Sequence, residues 1–114
     1  MSGMEVPSEL ALAELSLETR RHDEPWIATV RAAAADGLVA ELTWDEMSNS
    51  MTTVVTRDGV VIVRMERESV TAVRAQESNG AVHFEVETVG ASLGGTLNIH
   101  VGESVIVADS LLRR

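Results

Sequence analysis

A serine between glycines is the sharpest chemical motif of the sequence. The segment GASLG, residues 90–94, fits the G-x-S-x-G pattern of serine hydrolases, and His100 and Asp109 follow it. In those enzymes the serine lies on a sharp turn between a strand and a helix. Here the motif leads into the alternating segment 96–101, which predicts a strand. Ser92 therefore carries a hydrolase-like motif without its structural context, and we assign no catalytic residue.

Two histidines and a glutamate form a second candidate site. His83 and Glu85 alternate along one predicted strand, and His100 lies on another. If those strands are neighbours, the three side chains share one face of the sheet. Two imidazoles and a carboxylate are a donor set for zinc or another transition metal. Exposed histidines more often serve solubility, so we predict no cofactor and keep these residues as metal candidates.

Adjacent carboxylates could support acid–base chemistry at two further places. Residues 21–24 (RHDE) and 44–46 (WDE) bring acids together, as proton transfer requires. The first lies at a predicted helix start, where acids complement the helix dipole. The second lies at a strand end. Local structure explains both, so the sequence favours a protein that is not an enzyme.

Composition excludes several classes of partner. The 114 residues carry a net charge of -9, which opposes binding to a phosphate backbone, because that affinity comes from cations. No cysteine is present for a disulfide or a Cys-based zinc site, and no apolar run reaches the length of a membrane span. We expect no nucleic acid, no membrane and a cytoplasmic location. We also expect a flexible segment 1–7 and one domain over residues 8–114.

Two N-terminal segments predict helices. Ser8 can cap a helix over 8–21, and residues 25–36 begin with Pro25 and stop at Gly37 as helices do. A strand is the alternative for each segment.

From Leu38 onward the hydrophobic period changes to two, and turn residues recur at short intervals. Strands are predicted near 38–44, 51–57, 60–66, 70–76, 81–88, 96–101 and 104–109. The expected fold class is α+β, with two N-terminal helices packed on a twisted antiparallel β-meander. The alternative is an all-β barrel or sandwich.

Two hairpin turns, Asp58-Gly59 and Asn79-Gly80, define a register. The predicted facing pairs are Val54 with Val63, Thr53 with Arg64, Val73 with Val86, Arg74 with Glu85, and Ala75 with Phe84. A three-residue turn over 67–69 would join both hairpins in one sheet with a common solvated face.

That solvated face predicts an interface of apolar and charged side chains, namely Val55, Val60, Ile62, Arg64, Arg74, Glu85 and Glu87. The favoured function is a non-catalytic protein–protein interaction or assembly module that self-associates through the sheet as a homo-oligomer. One alternative is a small-molecule-binding protein or small enzyme, with a pocket between sheet and helices near Trp26, Trp44 and His100. The other is an acidic inhibitor or immunity-type protein that binds a basic partner.

Overall fold

Two antiparallel sheets and one short helix make up the described chain. The computed structural model describes residues 4–15, 17–89 and 93–113. The elements in chain order are α1 (Glu9–Glu14), β1 (Glu18–Arg21), β2 (Ile27–Ala33), β3 (Leu38–Asp45), β4 (Ser50–Arg57), β5 (Val60–Arg67), β6 (Val70–Ser78), β7 (Ala81–Val89), β8 (Leu93–Val101) and β9 (Val105–Arg113). One sheet has the order β1-β2-β3-β4-β5 and the other β6-β7-β8-β9. The strands near and after residue 38 lie close to their predicted positions.

The prediction of an α+β fold with two N-terminal helices packed on a sheet is wrong. The segment predicted as the second helix is strand β2, which pairs with β1 and β3. Its alanines alternate inward with Val30, and Ala28 lies opposite the large Trp44 in the ladder. Pairing a small residue with a large one fills the core, and this tertiary gain overrides the helix propensity of alanine. Gly37, at φ 95°, belongs to a hairpin turn and ends no helix.

The first predicted helix is reduced to six residues. Ser8 caps α1 as expected, because its side-chain oxygen accepts a hydrogen bond from the Ala11 amide at 3.1 Å. Leu12 is buried, whereas Leu10 is exposed, so the helix buries one side only. The chain then turns into β1, and Arg21 on this strand pairs with Glu9 at 2.8 Å.

Both predicted hairpin turns are confirmed. Asp58 and Asn79 have φ near 52° and 53°, and each is followed by a glycine at φ 79°. Positive φ at both central residues is typical of the type I′ turn, whose twist matches paired strands. In the β6–β7 hairpin the predicted register is also correct, with Val73 opposite Val86, Arg74 opposite Glu85, and Ala75 opposite Phe84.

The predicted register of the β4–β5 hairpin is wrong by one residue. Val55 lies opposite Val63 and Thr56 opposite Val61, which leaves Ile62 as the extra residue of a β-bulge. Because side chains alternate between faces, this one-residue shift reverses the faces of β4. Val55 is therefore buried in the fold and does not lie on an exposed face.

The connection between β5 and β6 carries the chain from one sheet to the other. Glu68 and Ser69 form this link, and Ser69 has φ 56°. The Val70 amide donates to the Asn49 carbonyl at 2.9 Å, and the Val89 amide donates to the Ser69 carbonyl at 3.1 Å. The predicted three-residue turn within one sheet is thus wrong, and the two hairpins belong to different sheets.

The core lies between the two sheets. Buried side chains of the five-stranded sheet and of the four-stranded sheet belong to one hydrophobic cluster, which includes Trp44, Met51, Phe84, Val86 and Ile99. Trp44 is a core residue. Two facing sheets with alternating inward side chains are the arrangement of a β-sandwich.

Main-chain hydrogen bonds also join the two sheets at one end. The Ala35 amide donates to the Gly102 carbonyl, and the Asp36 amide to the Glu103 carbonyl, both at 2.9 Å. The Asp36 carboxylate accepts from the Leu38 amide at 3.0 Å. Hydrogen bonds from Ser104 and from that amide, with the nearby Arg57 charge, lower the pKa of Asp36 below its ordinary 3.8.

The N-terminal residues that are described contact the second sheet. Met4 is buried, and Glu5 forms a parallel bridge with Ala72 at the edge of β6. The division into a flexible segment 1–7 and a domain 8–114 stays a prediction. Within the described ranges, the helix is neither long nor apolar enough to cross a membrane.

We expect Phe84→Ala to lower the free energy of unfolding by about 3–5 kcal/mol, because a fully buried ring leaves a cavity between the sheets. Leu10→Ala, at an exposed position of α1, should change it by less than about 0.5 kcal/mol. Urea denaturation followed by tryptophan fluorescence measures both. Equal effects of the two substitutions would contradict the shared core.

We expect Asp36→Asn to destabilise the protein near neutral pH. A carboxyl with a lowered folded pKa stabilises the fold above its unfolded pKa, and this contribution disappears as pH falls through the folded value. The difference in denaturation midpoint between wild type and variant should therefore shrink below about pH 3.8. Ser104→Ala removes a donor to the same carboxylate and should lose part of the same stability. A difference that stays constant across the acid range would contradict this.

Candidate functional site

Two neighbouring loops at one end of the five-stranded sheet place acids around exposed apolar side chains. We call this surface the acidic corner. It consists of Asp23, Glu24, Trp26, Asp45, Glu46 and Met47. Trp26 is 37% exposed and Met47 is 71% exposed. Tryptophan and methionine are enriched in protein interfaces, so the combination is typical of a contact surface with a charged rim.

Backbone pairing builds the acidic corner. The Glu46 amide donates to the Trp26 carbonyl at 2.9 Å, which extends the β2–β3 ladder into both loops. Asp45 Oδ1 accepts from the Met47 amide at 2.9 Å and from the Ser48 amide at 3.2 Å. This Asx turn presents the Met47 side chain to solvent. Asp45 is therefore engaged in local structure, as the sequence interpretation of the carboxylate pairs stated.

The other three acids of the acidic corner can present their negative charge to a partner. Among the described residues, no ion pair involves Asp23, Glu24 or Glu46. The nearby Arg21 donates to the Pro25 carbonyl at 2.6 Å and to Glu9 at 2.8 Å. The positive charge of Arg21 is thus paired with Glu9, which is not part of the acidic corner. The corner is a negative patch that suits a positively charged partner.

Arg74 is the centre of a second charged group, on the outer face of the four-stranded sheet. It lies 3.0 Å from Glu87 and 3.3 Å from both Glu5 and Glu85. The hydrogen bond and charge of Glu87, with help from Glu5 and Glu85, raise the pKa of Arg74. These contacts tie the N-terminal segment to β6 and β7. The predicted interface role of Arg74, Glu85 and Glu87 stays a prediction, but Arg74 is already paired within the chain.

The predicted single interface is divided by the fold. Val60, Ile62 and Arg64 lie on β5 of one sheet, whereas Arg74 and its glutamates lie on β6 and β7 of the other. Val55 is buried, as described above. The division into two sheets follows from the change of sheet at Glu68 and Ser69. Of the apolar residues of the predicted interface, Val60 and Ile62 on β5 remain exposed.

The two histidines do meet on one face. His83 lies opposite His100 in the β7–β8 ladder, and their ring centroids are 6.2 Å apart. The Nε2 atom of His83 is hydrogen-bonded to the Asn98 side chain at 2.9 Å. Glu85, the third candidate, is held by Arg74. Within the described ranges no group of three or more metal-ligating side chains is assembled. The fold brings His83 and His100 together, as a metal site would require, but does not add a third ligand from the described residues.

Ser92 lies outside the described residues. Strand β8 begins directly after it, at Leu93, and pairs antiparallel with β7. The nucleophile elbow of a hydrolase needs a helix at this point. The hydrolase-like role of Ser92 stays a prediction.

The predicted pocket residues do not come together. Trp44 is buried between the sheets, Trp26 is exposed at the acidic corner, and His100 lies on the outer face of the other sheet. A cleft of about 520 Å³ lies elsewhere, between the start of β1 and the β6–β7 hairpin, with Leu17, Arg31 and Val82 in its lining. The small-molecule alternative stays untested.

Sequence reasoning missed the apolar part of the acidic corner. It placed Trp26 on the second predicted helix, near a possible pocket, and gave Met47 no role. Polar residues around Met47 in the segment 45–50 were the available signal, since an isolated large apolar residue in a polar hairpin turn is exposed. The carboxylates on either side were identified, but their convergence depends on the pairing of β2 with β3.

The fold resembles that of a solved bacterial protein. No family model matches the sequence, and no curated protein matches it. The chain is similar to a chain of a contact-dependent growth inhibition toxin–immunity protein complex from Klebsiella pneumoniae 342. The TM-score is 0.81 at 14% sequence identity, over 98% of this chain and 100% of that chain. The two chains therefore share one fold along almost their whole length.

Proposed function

We propose that the chain is an immunity-type protein that binds a basic protein partner and blocks its action. The observation that carries this proposal is the shared fold with a chain of a toxin–immunity protein complex, over 98% of the sequence. An identity of 14% leaves the surface residues free to differ. The partner would therefore be recognised by the charges and apolar groups of this chain's own surface.

The net negative charge of the chain favours the immunity side of such a complex over the toxin side. A net charge of -9 on 114 residues favours association with a positively charged protein and opposes direct binding to nucleic acid. An inhibitor of this kind gains a fast association rate from electrostatic steering. Blocking a toxin requires capture before it acts, so a high association rate serves the proposed role.

The acidic corner is the contact surface that fits this partner. Asp23, Glu24 and Glu46, which have no ion-pair partner within the described part of the chain, supply attraction to lysine and arginine, and Trp26 and Met47 supply apolar contact area. Interfaces combine these parts as an apolar centre with a polar rim. The loops that carry them end paired strands, so the surface is held in place before binding and loses little entropy when the complex forms.

A growth assay tests the role. A tagged chain would capture its partner from cells of the source organism, and mass spectrometry would identify it. The partner would then be expressed in a bacterial host alone and together with the chain. Growth arrest by the partner and its relief by the chain would support an immunity role. A partner that is harmless alone would overturn it, and arrest caused by the chain itself would assign it to the toxin side.

We expect Glu46→Lys to weaken the complex with the purified partner about tenfold, because it places a cation against the basic surface. The dissociation constant of the wild-type complex should also rise steeply with salt concentration. Glu77→Lys is the matched control, since Glu77 is exposed on β6 of the other sheet and should change the constant less than about threefold. Isothermal titration calorimetry at several salt concentrations measures both.

Equal weakening by the two lysine variants would show that the corner has no special part in binding. An affinity that salt does not change would contradict the charge-based recognition.

A further inference from the structure

The edge strand β5 exposes an unbroken apolar run. Val60, Val61, Ile62 and Val63 are 65%, 58%, 54% and 37% exposed. The strand is the last of the five-stranded sheet, and its ladder partner is β4 on one side. An edge strand presents unpaired backbone groups that can accept a further strand. Four consecutive exposed aliphatic residues add a hydrophobic gain to such pairing.

Two of the three other described edge strands, β1 and β6, are protected by features that are common in natural sheets. β1, at the opposite edge of the same sheet, is four residues long and reads Glu-Thr-Arg-Arg. At the edge of β6, the Glu5 amide donates to the Thr71 carbonyl at 3.0 Å, and the Val73 amide donates to the Glu5 carbonyl at 2.7 Å. Charges, short length and a covering segment all prevent strand addition. On β5 the bulge at Ile62 adds local twist but leaves the apolar side chains exposed.

The charge around β5 differs from that of the whole chain. Residues 57–68 contain three arginines and three acids, so this stretch is formally neutral while the chain carries -9. A basic partner gains little here. A second acidic copy is repelled elsewhere on the surface, but not along this edge. The neutral, apolar edge therefore fits a second copy of this chain.

We propose that β5 pairs antiparallel with β5 of a second copy and joins two five-stranded sheets across a twofold axis. Centred on the apolar run, this pairing places Val60 opposite Val63 and Val61 opposite Ile62 of the other copy. A twofold interface uses the same patch on both copies, so every contact occurs twice. Cross-strand pairs of β-branched residues stabilise such ladders.

The flanking charges are complementary in this register. Arg64 of each copy approaches Asp58, in the hairpin turn before β5, of the other. Arg64 is exposed in the monomer, where its ion-pair partner is Glu66 at 3.2 Å. This is a surface pair and can be shared with a second copy at little cost. The dimer does not depend on the proposed immunity role, since it leaves the acidic corner free.

The molar mass in solution tests the pairing. Size exclusion with light scattering on the wild-type chain should give twice the 12.3 kDa of one copy. Ile62→Lys should give one copy, because it puts a charge in the middle of the apolar pairing. Ile106→Lys is the matched control, at an isoleucine that is 61% exposed on β9 of the other sheet, and it should remain dimeric. Circular dichroism and thermal melting confirm that each variant is folded.

A charge exchange tests the register. Asp58→Lys and Arg64→Glu should each weaken the dimer about tenfold, because each brings like charges together across the axis. The double variant restores opposite charges and should dimerise within about threefold of wild type. Loss of a contact within one copy would not be repaired in this way.

A wild-type monomer at a concentration of about 0.5 mM, where a weak dimer forms, would overturn the self-pairing and leave the edge to a strand of another protein. Dissociation by Ile106→Lys but not by Ile62→Lys would overturn it too. A double variant weaker than both single variants would overturn the register.

Discussion

The change of sheet at Glu68 and Ser69 is the constraint on which the rest of the structure depends. If β6 simply continued the first meander, Trp44 and Phe84 would belong to one extended sheet, and covering its apolar face would require other elements. The link instead lets two meanders face each other and bury one cluster between them. Hydrogen bonds from both sheets hold the link, through the Asn49 and Ser69 carbonyls. A sandwich of two facing sheets needs such a crossing point.

The same crossing separates the surfaces on which the proposed functions rest. The acidic corner and β5 belong to the five-stranded sheet, and the Arg74 group belongs to the other. Their electrostatics differ. The corner carries acids without a described ion-pair partner, β5 is neutral and apolar, and Arg74 is surrounded by three glutamates. A charged surface suits a partner of opposite sign, whereas a neutral apolar edge suits strand pairing. One small domain can thus present two contact surfaces that do not compete.

Much of the sheet could be predicted from local signals. The dipeptides Asp58-Gly59 and Asn79-Gly80 place their hairpins, and alternation along β6 and β7 defines the register around Arg74 and Glu85. The acidic corner was harder to predict from the sequence. The carboxylates near Trp26 and Trp44 were visible as pairs, but the sequence placed Trp26 near a pocket between the sheet and the helices. Its exposure follows from the position of the turn before β2, which only the pairing of β1, β2 and β3 determines.

What the sequence by itself determined is the set of local conformations with a steric cause, such as positive φ at Asn79 and Gly80 and the Ser8 cap of α1. Tertiary structure decided which strands share a sheet, where the bulge at Ile62 falls, and whether residues 27–33 are helix or strand. In those cases the local preferences differ by a few tenths of a kcal/mol per residue. Burial against distant partners contributes more than that for each side chain, so contacts far apart in sequence decide the outcome.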